Sequence, residues 1–141
     1  MGGSAVMGIR CGVDIADVKR IEHSLKSNGL FAAKVFTEGE IGYCESKKAR
    51  KYESYAARFA AKEAFMKALG TGMLNGAGFT EIEVVNDAAT GEPHLKLHGG
   101  AAKLYDQTNG ASLSLSLSHT PETAIAMVAM LHGGPQNIID E

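Results

Sequence analysis

The sequence predicts an α+β fold, with helices packed on a mainly antiparallel sheet. Three observations carry this. Residues 111–118 alternate Leu with Ser, and residues 123–131 form a nearly continuous apolar run close behind, so the two pair antiparallel. Residues 79–86 and 93–98 flank a turn signal at 87–91 and read as a second hairpin. Between the first strand and that hairpin the patterning turns helical, and the longest helix ends at Gly70. The class is therefore α+β rather than a parallel α/β fold.

Taken in order, residues 8–15 alternate, with Ile9, Cys11, Val13 and Ile15 on one face and Gly8, Arg10, Gly12 and Asp14 on the other. Asp17 is placed to cap a helix that runs to about Asn28 and Gly29. A short helical stretch follows at 30–35. Thr37-Glu38-Gly39-Glu40 is a capping box that opens another helix. Residues 50–69 form the strongest helix, and residues 101–108 a later one. The predicted order is β-α-α-α-β-β-α-β-β.

At 141 residues the chain is long enough for a single domain with its own core. We assign 7–132 to that domain, 1–6 to a flexible leader and 133–141 to a polar tail. No apolar run reaches membrane-spanning length and no signal-peptide layout is present, so a cytoplasmic protein without membrane contact is expected. Cys11 and Cys44 share no metal or redox spacing and read as free buried thiols. Residues 1–72 hold 12 Lys/Arg against 8 Asp/Glu, and residues 73–141 hold 2 against 8. The basic half suits phosphates or an acidic protein, whereas nucleic acid is not expected, because aromatics do not interleave the basic residues.

The central helix holds the first chemical signal. At 100° per residue, Tyr52, Tyr55, Ala56, Phe59, Glu63 and Met66 share one stripe, with Glu63 near its middle. A carboxylate there needs a cation or a metal. One reading is a Glu63–Lys67 pair at the rim of the core. The other brings in Asp14, a carboxylate on a strand face cleared by glycines. Two such groups close together repel, and a magnesium ion bound with phosphate oxygens would relieve them. Arg58, Lys62 and Lys67 on the same helix suit a polyphosphate. The sequence lacks the G-x-x-x-x-G-K loop, so phosphate must be held by side chains.

Gly12-Val-Asp14 with Arg20-Ile21, then Phe36-Thr37 with Glu40, resemble the opening motifs of the holo-acyl-carrier-protein synthases. The block from Phe59 through Lys62-Glu63-Ala64 and Lys67 to Gly70-Thr71-Gly72 resembles their central motif. Ser116-Leu-Ser118-His119-Thr120 is similar to their closing S-x-S-H. The resemblance implies the 4′-phosphopantetheinyl transferase fold and a magnesium ion on Asp14 and Glu63. It implies a coenzyme A site of Arg58, Lys62, Lys67, Gly70, Thr71, Pro93, Ser118, His119 and Thr120. Arg20 would meet an acyl carrier protein. A homotrimer with active sites between subunits is implied too, so that His119 serves a neighbour's site. The expected reaction moves 4′-phosphopantetheine from coenzyme A to a carrier serine, releasing adenosine 3′,5′-bisphosphate, in fatty acid biosynthesis. Glu63 would accept the serine proton, with Asp14 and Lys67 completing the catalytic set. Glu92, Thr123, and Glu22 with His23 depart from the usual pattern.

Two other classes fit the residues less well. A hydrolase would use Ser118 and His119, but neighbouring strand residues face opposite ways and no G-x-S-x-G elbow exists. A non-catalytic binding module has little need for a carboxylate in an apolar stripe. His23, His94, His98 and His132 are expected at the surface or in hairpins, and Met66, Met127 and Met130 in the core.

Overall fold

A computed structural model describes residues 7–70 and 78–133. The leader (1–6), Thr71 with Gly72, and the tail beyond Gly133 lie outside the described residues. The elements are β1 (Gly8–Asp17), α1 (Val18–Ser27), α2 (Phe31–Val35), α3 (Glu38–Glu45), α4 (Lys51–Leu69), β2 (Ile82–Asn86), β3 (Pro93–Leu97), α5 (Gly99–Gln107), β4 (Gly110–His119) and β5 (Thr123–His132). Single 3-10 turns precede α4 and β2. The stretch at 30–35 is a true helix, so four helices rather than three separate β1 from β2. Asp17 stands at the N-cap of α1, but its side chain makes no capping bond.

The sheet runs in the order β1-β5-β4, antiparallel throughout, with β2 and β3 forming a separate antiparallel pair. The central helix α4 lies across β1 and β5. It approaches closely because its contact residues are small: Ala56, Ala57, Ala60, Ala61, Ala64 and Ala68 are all buried. On the sheet side Gly12 makes the room. A Cβ there would come within 2.1 Å of the Ala64 carbonyl oxygen and 2.7 Å of the Ala68 nitrogen. Gly12 therefore clears space for the helix backbone, not for a ligand. Gly70 ends α4 at φ 82°, the left-handed conformation that glycine adopts without strain. Arg10 donates from Nη1 to the Leu69 carbonyl at 3.2 Å, so a cation meets the negative end of the helix.

This packing sets which sheet face is inside. Ile9, Cys11, Val13 and Ile15 of β1 point away from α4 and lie exposed, Ile9 at 75% and Ile15 at 66%. Their partners across the ladder are Leu131, Ala129, Met127 and Ile125 of β5, so one apolar face spans both strands. The serines of β4 extend it, with Ser116 opposite Met127 and Ser118 opposite Ile125. Cys11 and Met127 therefore sit on an open face, whereas Cys44 and Met130 are buried. His132 is buried too, contrary to the surface position expected of it.

A buried ion pair ties the remaining layers to α4. Thr37 and Glu40 form the predicted capping box. The same Glu40 carboxylate accepts from Lys62 Nζ at 2.9 Å and from the Val84 backbone N–H at 2.7 Å. Lys62 also donates to the carbonyls of Phe79 and Ile82. Neither side chain has any exposed surface.

Candidate active site

The residues singled out in the sequence fall into two groups. The first gathers at Asp14 and Glu63. Asp14 leaves β1 on the side facing α4 and is largely covered. Lys67 Nζ donates to its Oδ1 at 3.0 Å and to the Val13 carbonyl at 3.0 Å. Glu63 lies one turn before Lys67 and is half-buried. Burial is the main force pushing its carboxyl above the usual glutamate range. The charge of Asp14 adds to this and Lys67 opposes it. The two carboxylates are thus close enough to feel each other, with the lysine bonded to Asp14 rather than to Glu63.

The stripe of α4 that carries Glu63 is only in part a core face: Tyr55, Ala56 and Met66 are buried, but its other members lie along the accessible edge of the helix. Tyr52, Phe59 and Glu63 are half-buried and Lys67 is exposed, while the alanines on the other sides are sealed. Glu63 is held near the core yet within reach of a ligand, a position suited to chemistry.

These groups suit a hard divalent cation. Two carboxylates share a partly desolvated place, with one ammonium bonded to Asp14. Among the described residues no three His, Cys, Asp or Glu side chains form a metal cluster. Magnesium held together with phosphate oxygens and water needs only one or two protein carboxylates.

The second group lines a cleft of about 280 Å³ between α3, α4, β3 and the end of β4. Arg58, Pro93 and His119 meet there, joined by Tyr43, Lys47 and Arg50. Arg58 is 3% exposed and its guanidinium stacks on the Tyr43 ring, 4.0 Å from the centroid. It donates from Nη1 to Ser54 Oγ at 3.2 Å and from Nη2 to Asn86 Oδ1, while its buried Nε has no partner. Among the described residues no carboxylate pairs with it. A buried guanidinium on a cleft wall without a counter-ion is a ready anion site.

On α4 the cleft-lining Ser54 and Arg58 stand about 180° around the helix from Glu63 and Lys67. One chain therefore presents the acidic pair and the basic cleft on opposite sides. Several predicted contacts belong to neither. Lys62 spends its ammonium on Glu40 and two carbonyls in the core, leaving no donor for phosphate. Ser118 faces the open side of the sheet, away from His119, which also removes the hydrolase arrangement. Thr120 Oγ1 accepts from the backbone N–H groups of Glu122 and Thr123 and closes the β4–β5 turn. Gly70 caps α4, and Thr71 is outside the described residues. Arg20 is exposed on α1, beside a hollow lined by Ile15, Ile21, Phe31 and Phe59.

Sequence reasoning passed over Tyr43, Lys47, Arg50 and Asn86. The run Lys47-Lys48-Ala49-Arg50-Lys51 was the available signal, but only the fold turns it toward Arg58.

Comparison with known proteins agrees with this architecture. The sequence profile of the 4′-phosphopantetheinyl transferase superfamily matches residues 10–126. A holo-[acyl-carrier-protein] synthase of Ruminiclostridium cellulolyticum is 48% identical over 128 residues, covering 90% of this chain and 95% of its own. A Bacillus anthracis holo-(acyl-carrier-protein) synthase solved in complex with coenzyme A superposes with a TM-score of 0.73 at 35% identity, covering 90% and 99% of the two chains. A Neisseria meningitidis holo-[acyl-carrier-protein] synthase gives a TM-score of 0.75 at 32% identity, covering 86% and 96%. With the match running through β1, α4 and the β4–β5 hairpin that build both halves of the site, the chain belongs to the 4′-phosphopantetheinyl transferase superfamily, among the holo-[acyl-carrier-protein] synthases.

Proposed function

We propose that residues 7–132 transfer 4′-phosphopantetheine from coenzyme A to a serine of an acyl carrier protein, with magnesium, in the cytoplasm and in support of fatty acid biosynthesis. The observation that carries this reading is the approach of Glu63 to Asp14, two carboxylates with one lysine that is bonded to Asp14 alone. Asp14 and Glu63 would hold the metal, which supplies charge neutralisation at the pyrophosphate.

The serine oxygen attacks the β-phosphorus of coenzyme A. The bond from that phosphorus to the bridging oxygen breaks, and adenosine 3′,5′-bisphosphate leaves. Glu63 takes the serine proton. Its raised affinity for protons brings it closer to the pH at which it must act. Lys67 stands one turn away on the exposed edge of α4, where its ammonium can meet charge on the departing group. Arg58, with Pro93 and His119 beside it, binds the nucleotide end. Arg20 on α1 meets the acidic carrier.

The two half-sites lie on opposite sides of α4, which favours a homotrimer in which the acidic pair of one subunit faces the basic cleft of the next. The open apolar face of β1 and β5 supports such an assembly, since a face of this extent marks an interaction surface.

The decisive variant is Glu63→Gln. It should fold, bind coenzyme A and lose transfer by at least about a hundredfold, the scale of one lost proton-transfer group. Mass spectrometry of an apo-carrier protein incubated with coenzyme A and magnesium reads the added group directly. Turnover near that of the unchanged enzyme removes Glu63 from the mechanism.

A further inference from the structure

His119 closes β4 and is 40% exposed, so nothing in its own strand fixes its ring. A residue from the first turn of α4 does. Glu53 Oε1 lies 2.7 Å from His119 Nδ1, in a contact that spans 66 positions of sequence, and the Glu53 side chain is 18% exposed. We infer that Glu53 is a positioning residue, holding the His119 imidazole on the cleft wall so that its second nitrogen donates to a phosphoryl oxygen of coenzyme A. This rests on the coenzyme A reading of the cleft.

The chemistry follows from the two ring nitrogens. A carboxylate accepts from Nδ1–H and thereby fixes the ring's orientation, leaving Nε2 as the nitrogen available to a ligand. A phosphoryl oxygen accepts only from N–H, so the ring that binds it carries protons on both nitrogens. Glu53 is the carboxylate in contact with that charge. The other charged groups facing the cleft are three cations: Lys47 and Arg50 around the 3-10 turn, and Arg58 of α4. Without Glu53 an imidazolium there would meet only like charges. A purely structural role, pinning the end of β4 to the start of α4, would change stability and leave ligand affinity untouched.

Steady-state kinetics of the full chain with coenzyme A and an apo-carrier protein separate the two roles. Glu53→Ala should raise the KM for coenzyme A roughly tenfold with kcat little changed. Glu53→Gln keeps an acceptor but not the charge, and should recover only part of that loss. His119→Ala should match Glu53→Ala, and the double variant should be no worse than either single one. Repeating the series with dephospho-coenzyme A shows which phosphoryl group is met. Indifference to Glu53→Ala there assigns the 3′-phosphate, and an equal rise assigns the pyrophosphate. An unchanged KM in Glu53→Ala, or a further loss on adding it to His119→Ala, overturns the inference.

Long-range proton–nitrogen spectra of the His119 ring give an independent check. Nδ1 should be protonated in the unchanged protein and altered in Glu53→Ala. The same Nδ1 signal in both refutes the pairing even without substrate. Failure of the unchanged protein to bind coenzyme A by calorimetry defeats the reading of the cleft instead, and with it this assignment.

Discussion

Lys62 is sealed in the core while Glu63, next in the chain, reaches an accessible edge, because one residue turns α4 by about 100°. Its charge and the family motif made Lys62 resemble a phosphate ligand, and the sequence gives no sign that Glu40, from another helix, will claim it. Burial pulls the Lys62 ammonium below the usual lysine range and the Glu40 charge pushes it back. Lys62→Ala strands a carboxylate in the core and should cost about 3–5 kcal/mol, measured by urea unfolding. Replacing both partners, Glu40→Gln with Lys62→Met, should cost less than Lys62→Ala alone.

Glu63 makes a different prediction. Its folded carboxyl holds a proton more tightly than the unfolded one, so the protonated form favours the native state. That advantage is complete below the ordinary glutamate value and disappears as pH rises through the folded value. In metal-free solution Glu63→Gln should therefore raise Tm near pH 7. The difference should shrink as the solution is acidified below the ordinary glutamate value. A variant less stable at neutral pH contradicts the desolvation argument.

At the scale of elements, much was legible because the signals were local. The capping box at Thr37 and Glu40, the glycine stop of α4 and the hairpins all stand where their patterns put them. Asp14 and Glu63 were legible as a pair because each broke the pattern of its own element. The inside of β1 was not. A period of two says which residues share a face, but not which face meets the core. The alanines of α4 decide it, since a helix that small-sided packs best against Gly12. Gly12→Ala tests this. Its methyl group would overlap the helix backbone, and we expect destabilisation of at least about 2 kcal/mol, read by thermal or urea unfolding. Loss of less than half that amount means the helix can shift, and the close approach is not required. Of the basic cleft, Arg58, Pro93 and His119 were legible through the family resemblance, but Tyr43, Lys47 and Arg50 were not, because the cleft draws on α3, α4, β3 and β4 at once.

For the whole molecule, the exposed Ile9, Val13 and Ile15 with Met127 and Leu131 form one apolar surface on the open side of the sheet. Val13→Glu places a charge at its centre without touching the packing under α4. If the proposed trimer forms through this face, the variant should sediment as a monomer, keep its helical circular dichroism, and lose transfer activity. A chain already monomeric before substitution, or fully active after it, would remove the intersubunit site. The uneven charge along the sequence also acquires a place. Six basic residues of the first half stand at the cleft (Lys47, Arg50, Arg58) or on α1 (Lys19, Arg20, Lys26), where an anionic substrate and an acidic carrier would arrive.

The pairing of β1 with β5 has a consequence for synthesis. Among the described residues, the first strand has only the last one, β5, as its sheet neighbour. Until the ribosome has extruded almost the entire domain, both edges of β1 stay bare. The helices between them can form early, but the sheet closes only at the finish. Truncation within β5 should therefore leave nascent chains that are protease-sensitive throughout rather than folded in part.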